Sequence, residues 1–169
     1  MTVGFLILFL LVGSFAWGAV SAAPWVPLRK RDISRLLSIA ELKPGELIYD
    51  LGCGDARVIV AAAQAYSVRA VGFEIALLPY CLAKLRVWFS GTGNLVKVRY
   101  QSFWSIPLGE AEVVFSYLTP AVMGRLETKL DKQLKPGAKF ISYAFKLPRR
   151  APTQRSQPTN NDLPIYLYT

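Results

Sequence analysis

Histidine is absent from this sequence of 169 residues. Its absence excludes Ser-His-Asp and Cys-His catalysis, histidine metal ligands and a histidine proton relay. Cysteine is nearly absent as well, since only Cys53 and Cys81 occur, which excludes a disulfide scaffold and a zinc site of four cysteines. A general base would therefore be a carboxylate, a tyrosine, a lysine or a water molecule held by the backbone, and we expect no metal site.

Charged side chains are missing from residues 1–28, and Val3–Ala23 is an almost continuous apolar run of 21 residues. A helix of that length, rising about 1.5 Å per residue, covers the hydrocarbon core of a bilayer, which is about 30 Å thick. The basic residues Arg29-Lys30-Arg31 follow the run. By the positive-inside rule we therefore predict a single-pass membrane anchor over residues 1–28 and a domain over residues 29–169 on the cytoplasmic side.

Two other interpretations of the apolar run remain open. Val20-Ser21-Ala22 resembles the cleavage site of a secretory signal peptide, although such a peptide has a basic segment before a shorter apolar stretch. A buried helix belonging to the domain itself is the second alternative.

Acidic residues are fewer than basic ones, since the sequence has 11 Asp and Glu and 20 Lys and Arg, which give a net charge of +9. An excess of positive charge favours binding to nucleic acid or to an anionic lipid surface. Each Lys or Arg near such a surface contributes about 1 kcal/mol to the binding free energy. The sequence contains no basic stripe with interleaved aromatic residues and no nucleic-acid-binding module. We therefore predict a lipid bilayer as a partner, no nucleic acid, and a monomer.

Apolar strands alternate with helices along the remainder of the chain. This order is typical of βαβ units and predicts one α/β domain, Rossmann-like, with a mostly parallel sheet covered on both faces. A polar segment, residues 149–164, is predicted to be a loop. The predicted helices are Ile33–Ala40 (capped by Asp32), Arg57–Tyr66, Leu77–Phe89 and Ala121–Leu134, and the predicted strands are Leu47–Leu51, Arg69–Ile75, Val96–Tyr100, Glu112–Tyr117, Lys139–Phe145 and Ile165–Tyr168.

A glycine-rich segment, DLGCGDAR at residues 50–57, follows the first predicted strand. Ligands of open α/β sheets bind beyond the carboxyl ends of the strands, where Gly52 and Gly54 let the backbone approach closely. Glu74, which ends the second strand, can accept hydrogen bonds from ribose hydroxyls. A dinucleotide fingerprint requires a third glycine where Arg57 stands, and there is no phosphate-binding P-loop.

The segments DLGCGDAR (50–57) and VGFE (71–74) resemble motifs I and II of class I S-adenosylmethionine-dependent methyltransferases. Further segments resemble one branch, the small and often membrane-anchored protein-lysine methyltransferases, which include the ATP synthase c-subunit lysine methyltransferase and archaeal lysine methyltransferases. The resemblance covers about residues 24–147. The segments that carry it are PWVP (24–27), YDLGCGDAR (49–57), AVGFEI (70–75), SYLTP (116–120) and LKPGAKFISYAF (134–145).

The resemblance implies S-adenosylmethionine as cofactor and assigns its contacts. Asp50 and the loop residues Gly52, Cys53, Gly54 and Asp55 hold or approach the methionine end. Glu74 and Ile75 lie at the ribose, and Ser102 and Phe103 lie at the adenine, with Ser102 replacing the family's usual acid. Tyr117 forms a wall beside the transferred methyl. Ala56 stands where a third glycine is usual.

The resemblance also implies a change at the C-terminal end. The family's fold has a helix after strand five and then a two-strand hairpin, whereas most of the chain after this chain's fifth strand is the polar segment 149–164. We therefore expect the C-terminal end of the domain to be shortened.

Three functions are compatible with these observations. The first is a membrane-anchored methyltransferase that acts on a lysine of a membrane-associated protein. A lysine amine, whose pKa is near 10.4, must lose a proton before attack, and a channel lined by Tyr117, Phe103 and Trp104 would favour that loss by desolvation. The second is methylation of a lipid, a quinone or another small molecule. The third is a catalytically silent, membrane-tethered binding module.

Overall fold

A computed structural model describes residues 25–169 of the protein. The predicted membrane helix, Val3–Ala23, lies outside the described residues. Within residues 25–169, the helices are all too short or too polar to cross a membrane.

The described chain forms an α/β domain whose elements follow the predicted order. The helices Arg57–Tyr66 and Leu77–Phe89 and the strands Leu47–Leu51, Val96–Tyr100 and Ile165–Tyr168 are confirmed at their predicted bounds. In chain order the elements are α1 (Lys30–Ala40), β1 (Leu47–Leu51), α2 (Arg57–Tyr66), β2 (Arg69–Glu74), α3 (Leu77–Phe89), β3 (Val96–Tyr100), a 3₁₀ turn (Phe103–Ser105), β4 (Val113–Ser116), α4 (Pro120–Gln133), β5 (Lys139–Tyr143), β6 (Gln154–Ser156) and β7 (Ile165–Tyr168).

Seven strands of the described chain form one sheet in the order β3-β2-β1-β4-β5-β7-β6. The first five strands in this order are parallel, and β7 is antiparallel to both β5 and β6. β1 pairs with β2 on one side and with β4 on the other, so the strand order reverses at this point. The carboxyl ends of β1 and β4 therefore form the topological switch point at which open α/β sheets bind ligands.

The two faces of the sheet are covered unequally. Ile48 and Val113 point to the same face as the buried side chains of α1, α2 and α3, while Leu51 and Val114 point to the face covered by α4. The alternation of buried residues along each strand follows the two-residue period of a strand.

The C-terminal end is shortened by the loss of a helix, and the sheet itself is not shortened. No helix lies between β5 and β6, but both strands of the final hairpin are present. The prediction of a loop over residues 149–164 is therefore wrong at Gln154–Ser156. This strand is only three residues long, polar and largely exposed. It is held by backbone pairing to β7 rather than by side-chain burial, so it has no hydrophobic pattern to detect.

Asp32 does not cap α1, so this prediction is wrong. The helix begins at Lys30 after Arg29, which provides no side-chain cap, and Asp32 is buried within the first turn. Its carboxylate accepts hydrogen bonds from Arg35 at 2.8 Å and from the Tyr143 hydroxyl at 3.0 Å. Since Tyr143 lies on β5, a tertiary contact determines the position of this side chain.

Gly72 in β2 provides a test of the packing under the glycine-rich segment. A Cβ atom at this position would lie 2.6 Å from Sγ and 2.8 Å from Cβ of Cys53. We expect Gly72→Ala to destabilise the protein by about 1–3 kcal/mol through overpacking. Gly93→Ala is the matched control, because an added Cβ atom there meets nothing within 4 Å. Urea unfolding measures both, and equal stability of the two variants would contradict this account.

Candidate active site

The loop between β1 and α2 is held in an unusual backbone conformation. Gly52 and Gly54 have positive φ angles of 82° and 54°, and Ala56 has a φ of 61°. The amides of Gly52 and Cys53 both donate to the carbonyl of Phe73 at 3.0 Å, which fixes the loop to the end of β2. A left-handed conformation costs an alanine roughly 1–2 kcal/mol, so the backbone at Ala56 is strained in the absence of the third glycine.

Glu74 is buried at the carboxyl end of β2 and organises this loop. Its Oε2 accepts from the Gly54 amide at 2.9 Å, and its Oε1 accepts from the amides of Ile75 and Ala76 at 2.8 Å each. Burial raises the pKa of Glu74 and the three amides oppose that shift. A carboxylate has about four acceptor sites, so one remains on Oε2 for a further donor. Ile75 contributes through its backbone.

Asp50 is almost completely buried at the end of β1. Within the described residues its Oδ1 has no hydrogen-bond partner. Burial raises the pKa of Asp50 well above its ordinary value, and the nearby Glu74 and Asp55 raise it further. The Ser116 hydroxyl, at the end of β4, is likewise buried and unpaired in the described part of the chain. Buried polar atoms without partners at a switch point indicate a place for a ligand.

Cys53 is a buried thiol in the loop. Burial raises the pKa of this thiol well above its ordinary value, with Asp50 and Glu74 adding to the shift. A neutral buried thiol is a poor nucleophile, so Cys53 contributes to this site through its backbone.

Asp55 does not cap α2, whose N-cap is Ala56 without a side-chain cap. Two arginines hold its carboxylate instead. Arg57 donates to it through Nε and Nη2 at 2.7–3.1 Å, and Arg86 of α3 donates at 2.7 Å. Burial raises the pKa of Asp55, but the two guanidinium groups outweigh it and the pKa lies below its ordinary value. Its predicted cofactor contact stays a prediction.

Ser102 and Phe103 lie at the 3₁₀ turn that follows β3. The Gln101 amide donates to the Glu74 carbonyl at 3.1 Å, which places this turn next to the Glu74 site. The Ser102 hydroxyl accepts from the Trp104 amide at 3.3 Å and so caps the turn, keeping its own hydrogen to donate. Phe103 is buried with its ring 4.6 Å from that of Trp104.

The segment Trp25–Leu28 covers the glycine-rich loop. A Cβ atom on Gly54 would lie 2.6 Å from Cδ1 of Trp25, so the indole ring occupies the space beside this glycine. The Leu28 carbonyl accepts from Arg57 Nη1 at 2.7 Å. The residues that sequence reasoning placed at the end of the anchor therefore pack on the domain, and the PWVP segment was the only signal of it.

Tyr117 lines a cavity of about 190 Å³ between the N-terminal segment and the ends of β4 and β5. Its ring lies 4.8 Å from that of Tyr143 at an interplanar angle of 81°. Tyr143 donates to Asp32, and burial together with this carboxylate raises the pKa of Tyr143 to about 12. The other lining residues are Val26, Pro27, Leu28, Arg29, Arg31, Asp32, Asn161, Asp162 and Leu163.

The structure therefore gathers the predicted residues along one edge of the sheet. Asp50, the loop, Glu74 and Ser102 follow the ends of β1, β2 and β3, and Tyr117 follows β4. The sequence did not predict that Asp32, Tyr143 and Asp162 line this cavity. They lie on three segments far apart in the chain, with no motif linking them, so only the fold brings them together.

The buried carboxyl of Asp50 predicts a pH dependence of stability. Its pKa in the folded protein lies well above the ordinary value of 3.8. Stability therefore falls as pH rises from about 4 to the raised pKa, by about 1.4 kcal/mol for each pH unit between these two values. We expect Asp50→Asn to remove this loss and to be more stable than the natural protein at neutral pH.

Urea unfolding between pH 4 and pH 8 measures this effect. Asp131→Asn, at an exposed carboxylate of α4, serves as the control for the loss of a charge. The account is refuted if Asp50→Asn and the natural protein lose stability in parallel over this range.

Comparison with known proteins connects this geometry to a family. The ANTKMT methyltransferase domain matches residues 50–154. A protein-lysine N-methyltransferase of Saccharolobus islandicus (strain REY15A) is 32% identical over 152 residues, which are 88% of this chain and 94% of that protein. The adenine nucleotide translocase lysine N-methyltransferase of Mus musculus is 33% identical over 129 residues, 76% of this chain. The chain spans only 56% of the length of this mouse relative.

Solved structures agree with the assignment. The crystal structure of an RNA methyltransferase from Salinibacter ruber, in complex with S-adenosyl-L-homocysteine, has a TM-score of 0.81 and 32% identity. The alignment covers 85% of this chain and 92% of that one. A methyltransferase from Geobacter sulfurreducens with the same ligand, at 20% identity and a TM-score of 0.62, shows the fold alone.

The matched domain starts at Asp50 and includes the glycine-rich loop, Glu74, the turn at Ser102 and Tyr117. S-adenosyl-L-homocysteine, the ligand of the Salinibacter ruber structure, is what S-adenosylmethionine becomes when it gives up its methyl group, so the cofactor of this methyltransferase family is S-adenosylmethionine. The chain belongs to the ANTKMT methyltransferase domain family, within the class I S-adenosylmethionine-dependent protein-lysine methyltransferases.

Proposed function

We propose that this protein methylates the ε-amine of a lysine in a membrane-associated protein, as a monomer anchored by the apolar run Val3–Ala23 with its domain on the cytoplasmic side. The observation that carries the proposal is the cavity at the ends of β4 and β5, lined by Tyr117, Tyr143 and Asp32. Its lining presents two aromatic rings and the Asp32 carboxylate to a cationic side chain, and of the two arginines that also line it, Arg31 is paired with Asp162.

The residues at the carboxyl ends of β1 and β2 fit S-adenosylmethionine. This cofactor supplies an activated methyl group when it is bound. The unpaired Oδ1 of Asp50 suits its ammonium group, and the remaining acceptor site on Glu74 Oε2 suits a ribose hydroxyl. The backbone of Gly52, Cys53 and Gly54 would border its methionine end, with Ser102 and Phe103 at the adenine.

The tyrosines would hold and orient the acceptor amine. Ring faces attract a cation, and the Tyr143 oxygen, whose hydrogen is donated to Asp32, keeps lone pairs for an amine N–H. A pKa of about 12 keeps Tyr143 protonated at neutral pH, so it positions the amine and is not the base. Desolvation lowers the pKa of the amine, whose proton would leave to water or to a carboxylate.

A membrane setting is supported by the apolar run Val3–Ala23 and the basic residues that follow it. The names of the relatives specify protein lysines as acceptors, in adenine nucleotide translocase and in the c-subunit of ATP synthase. The related structure named as an RNA methyltransferase makes RNA a competing acceptor. A lipid or quinone acceptor is another alternative. A silent binding module is disfavoured by the presence of both Asp50 and Glu74.

Cofactor binding is expected to depend on both buried carboxylates. Asp50→Asn and Glu74→Gln should each weaken S-adenosylmethionine binding by about tenfold to a hundredfold, which is the 1.5–3 kcal/mol of a charge-assisted hydrogen bond. Isothermal titration calorimetry of the full chain measures this, with Asp131→Asn as the control. No saturable binding by the folded natural protein would overturn the enzyme assignment.

Cofactor affinity is also expected to rise with pH. Free Asp50 holds its proton below its raised pKa, whereas a bound ammonium favours the ionised carboxylate. Binding should therefore release a proton and tighten as pH rises through that pKa. Calorimetry in buffers of different ionisation enthalpy detects the released proton. Proton release that persists in Asp50→Asn would refute its assignment to Asp50.

The acceptor class is tested by transfer of a radiolabelled methyl group to membrane proteins, a lipid extract and total RNA offered separately. We expect label on lysine of membrane proteins, and a Tyr143→Phe variant about tenfold slower, because the acceptor amine loses a positioning group. Tyr66→Phe on α2, away from the cavity, is the control. Label in the lipid extract or the RNA alone would replace the proposed acceptor by that one.

A further inference from the structure

The outer face of α3 is an apolar surface that the domain leaves uncovered. Trp88 and Phe89 expose 73% and 77% of their surface, and Leu85 and Leu78 expose 49% and 39%. The rings of Trp88 and Phe89 lie side by side with their centroids 4.7 Å apart. Leu78, Cys81, Leu85 and Trp88 follow a spacing of three and four residues, which places them along one stripe of the helix.

The charges on this helix are of one sign. Residues 77–89 contain Lys84 and Arg86 and no acidic residue. Lys84 is exposed beside the stripe, while Arg86 is bonded to Asp55 and leaves 42% of its side chain exposed. The inner face of α3 packs on the domain, and its outer face presents Trp, Phe and Leu with basic residues beside them, which are the side chains that interfacial helices place at a membrane surface.

The position of the N-terminal apolar run favours lipid as the occupant of this face. The run ends at Ala23, and Trp25 contacts Gly54 in the glycine-rich loop. The next residue, Asp55, is bonded by Arg86 of α3 through both its carboxylate and its carbonyl. The chain therefore enters the domain beside the C-terminal half of α3, where Trp88 and Phe89 are located.

We propose that the outer face of α3, formed by Leu78, Cys81, Leu85, Trp88 and Phe89, lies in the headgroup region of an anionic phospholipid bilayer. The proposal rests on the membrane anchoring proposed above and adds a second contact between the domain and the bilayer. An anchor alone leaves the domain free to rotate about its attachment. A second contact fixes which side of the domain faces the lipid.

Cys81 allows this contact to be measured in the full chain. It is exposed on the stripe, while Cys53 is buried, so a thiol-reactive spin label attaches at Cys81. The labelled protein is reconstituted into vesicles of phosphatidylcholine and phosphatidylglycerol. Electron paramagnetic resonance then compares the accessibility of the label to oxygen, which concentrates in lipid, with its accessibility to a water-soluble nickel complex. The matched control carries the label at Lys132→Cys on α4, in a Cys81→Ser background.

Reconstitution is expected to raise the oxygen accessibility of the Cys81 label and to lower its nickel accessibility, while the label on α4 stays accessible to nickel. Trp88→Glu together with Phe89→Glu is expected to return the Cys81 label to water without releasing the protein from the vesicles.

Three results would overturn the proposal, and they differ in cause. A Cys81 label that stays in water on protein that floats with the vesicles refutes the α3 contact alone. A label shielded from both reagents, with and without lipid, would show that residues 3–23 or a second copy covers α3. Protein that fails to float with the vesicles refutes the anchor, and the α3 contact with it.

Discussion

The carboxylate of Glu74 is the group on which the geometry of the site depends. It is a buried acceptor at the end of β2, and the amides that it binds come from two different segments, Gly54 in the loop after β1 and Ile75 and Ala76 before α3. One side chain thus ties together the two chain segments that border the switch point. The same carboxylate keeps one acceptor site unused by these amides, so under the proposed function the group that builds the loop would also recognise what the loop binds.

A second carboxylate, Asp55, extends this arrangement to α3. Burial raises the pKa of Asp50, and two nearby acids, Glu74 and Asp55, raise it further. Leaving all three acids ionised and unpaired would oppose folding. Arg57 and Arg86 neutralise Asp55, and Arg86 also binds its backbone carbonyl. The charge balance of the site therefore depends on an arginine of α3, which fixes that helix against the loop and leaves its opposite face to the surroundings.

The sequence predicted the elements whose signals are local. Apolar runs located β1 and α3, and the spacing of Gly52, Gly54 and Glu74 located the switch point. It did not predict where Asp32 would lie, because its partners Arg35 and Tyr143 compete with the helix end for the carboxylate. It also missed β6 and the cavity lined by Tyr117 and Tyr143, since a three-residue polar strand has no hydrophobic period and the cavity is formed by distant segments.

The segment Trp25–Leu28 connects the proposed anchor directly to the cavity proposed to take the acceptor lysine. Val26 lines that cavity and lies three residues after Ala23, where the apolar run ends. Three extended residues span at most about 11 Å. If the apolar run is the anchor, the part of the cavity wall formed by Val26 therefore lies within about 11 Å of the end of the membrane segment. A lysine close to a membrane surface reaches such a cavity without leaving that surface, whereas a lysine far from the bilayer does not. Under the proposed function, the short connection would restrict the choice of acceptor separately from any recognition by the tyrosines.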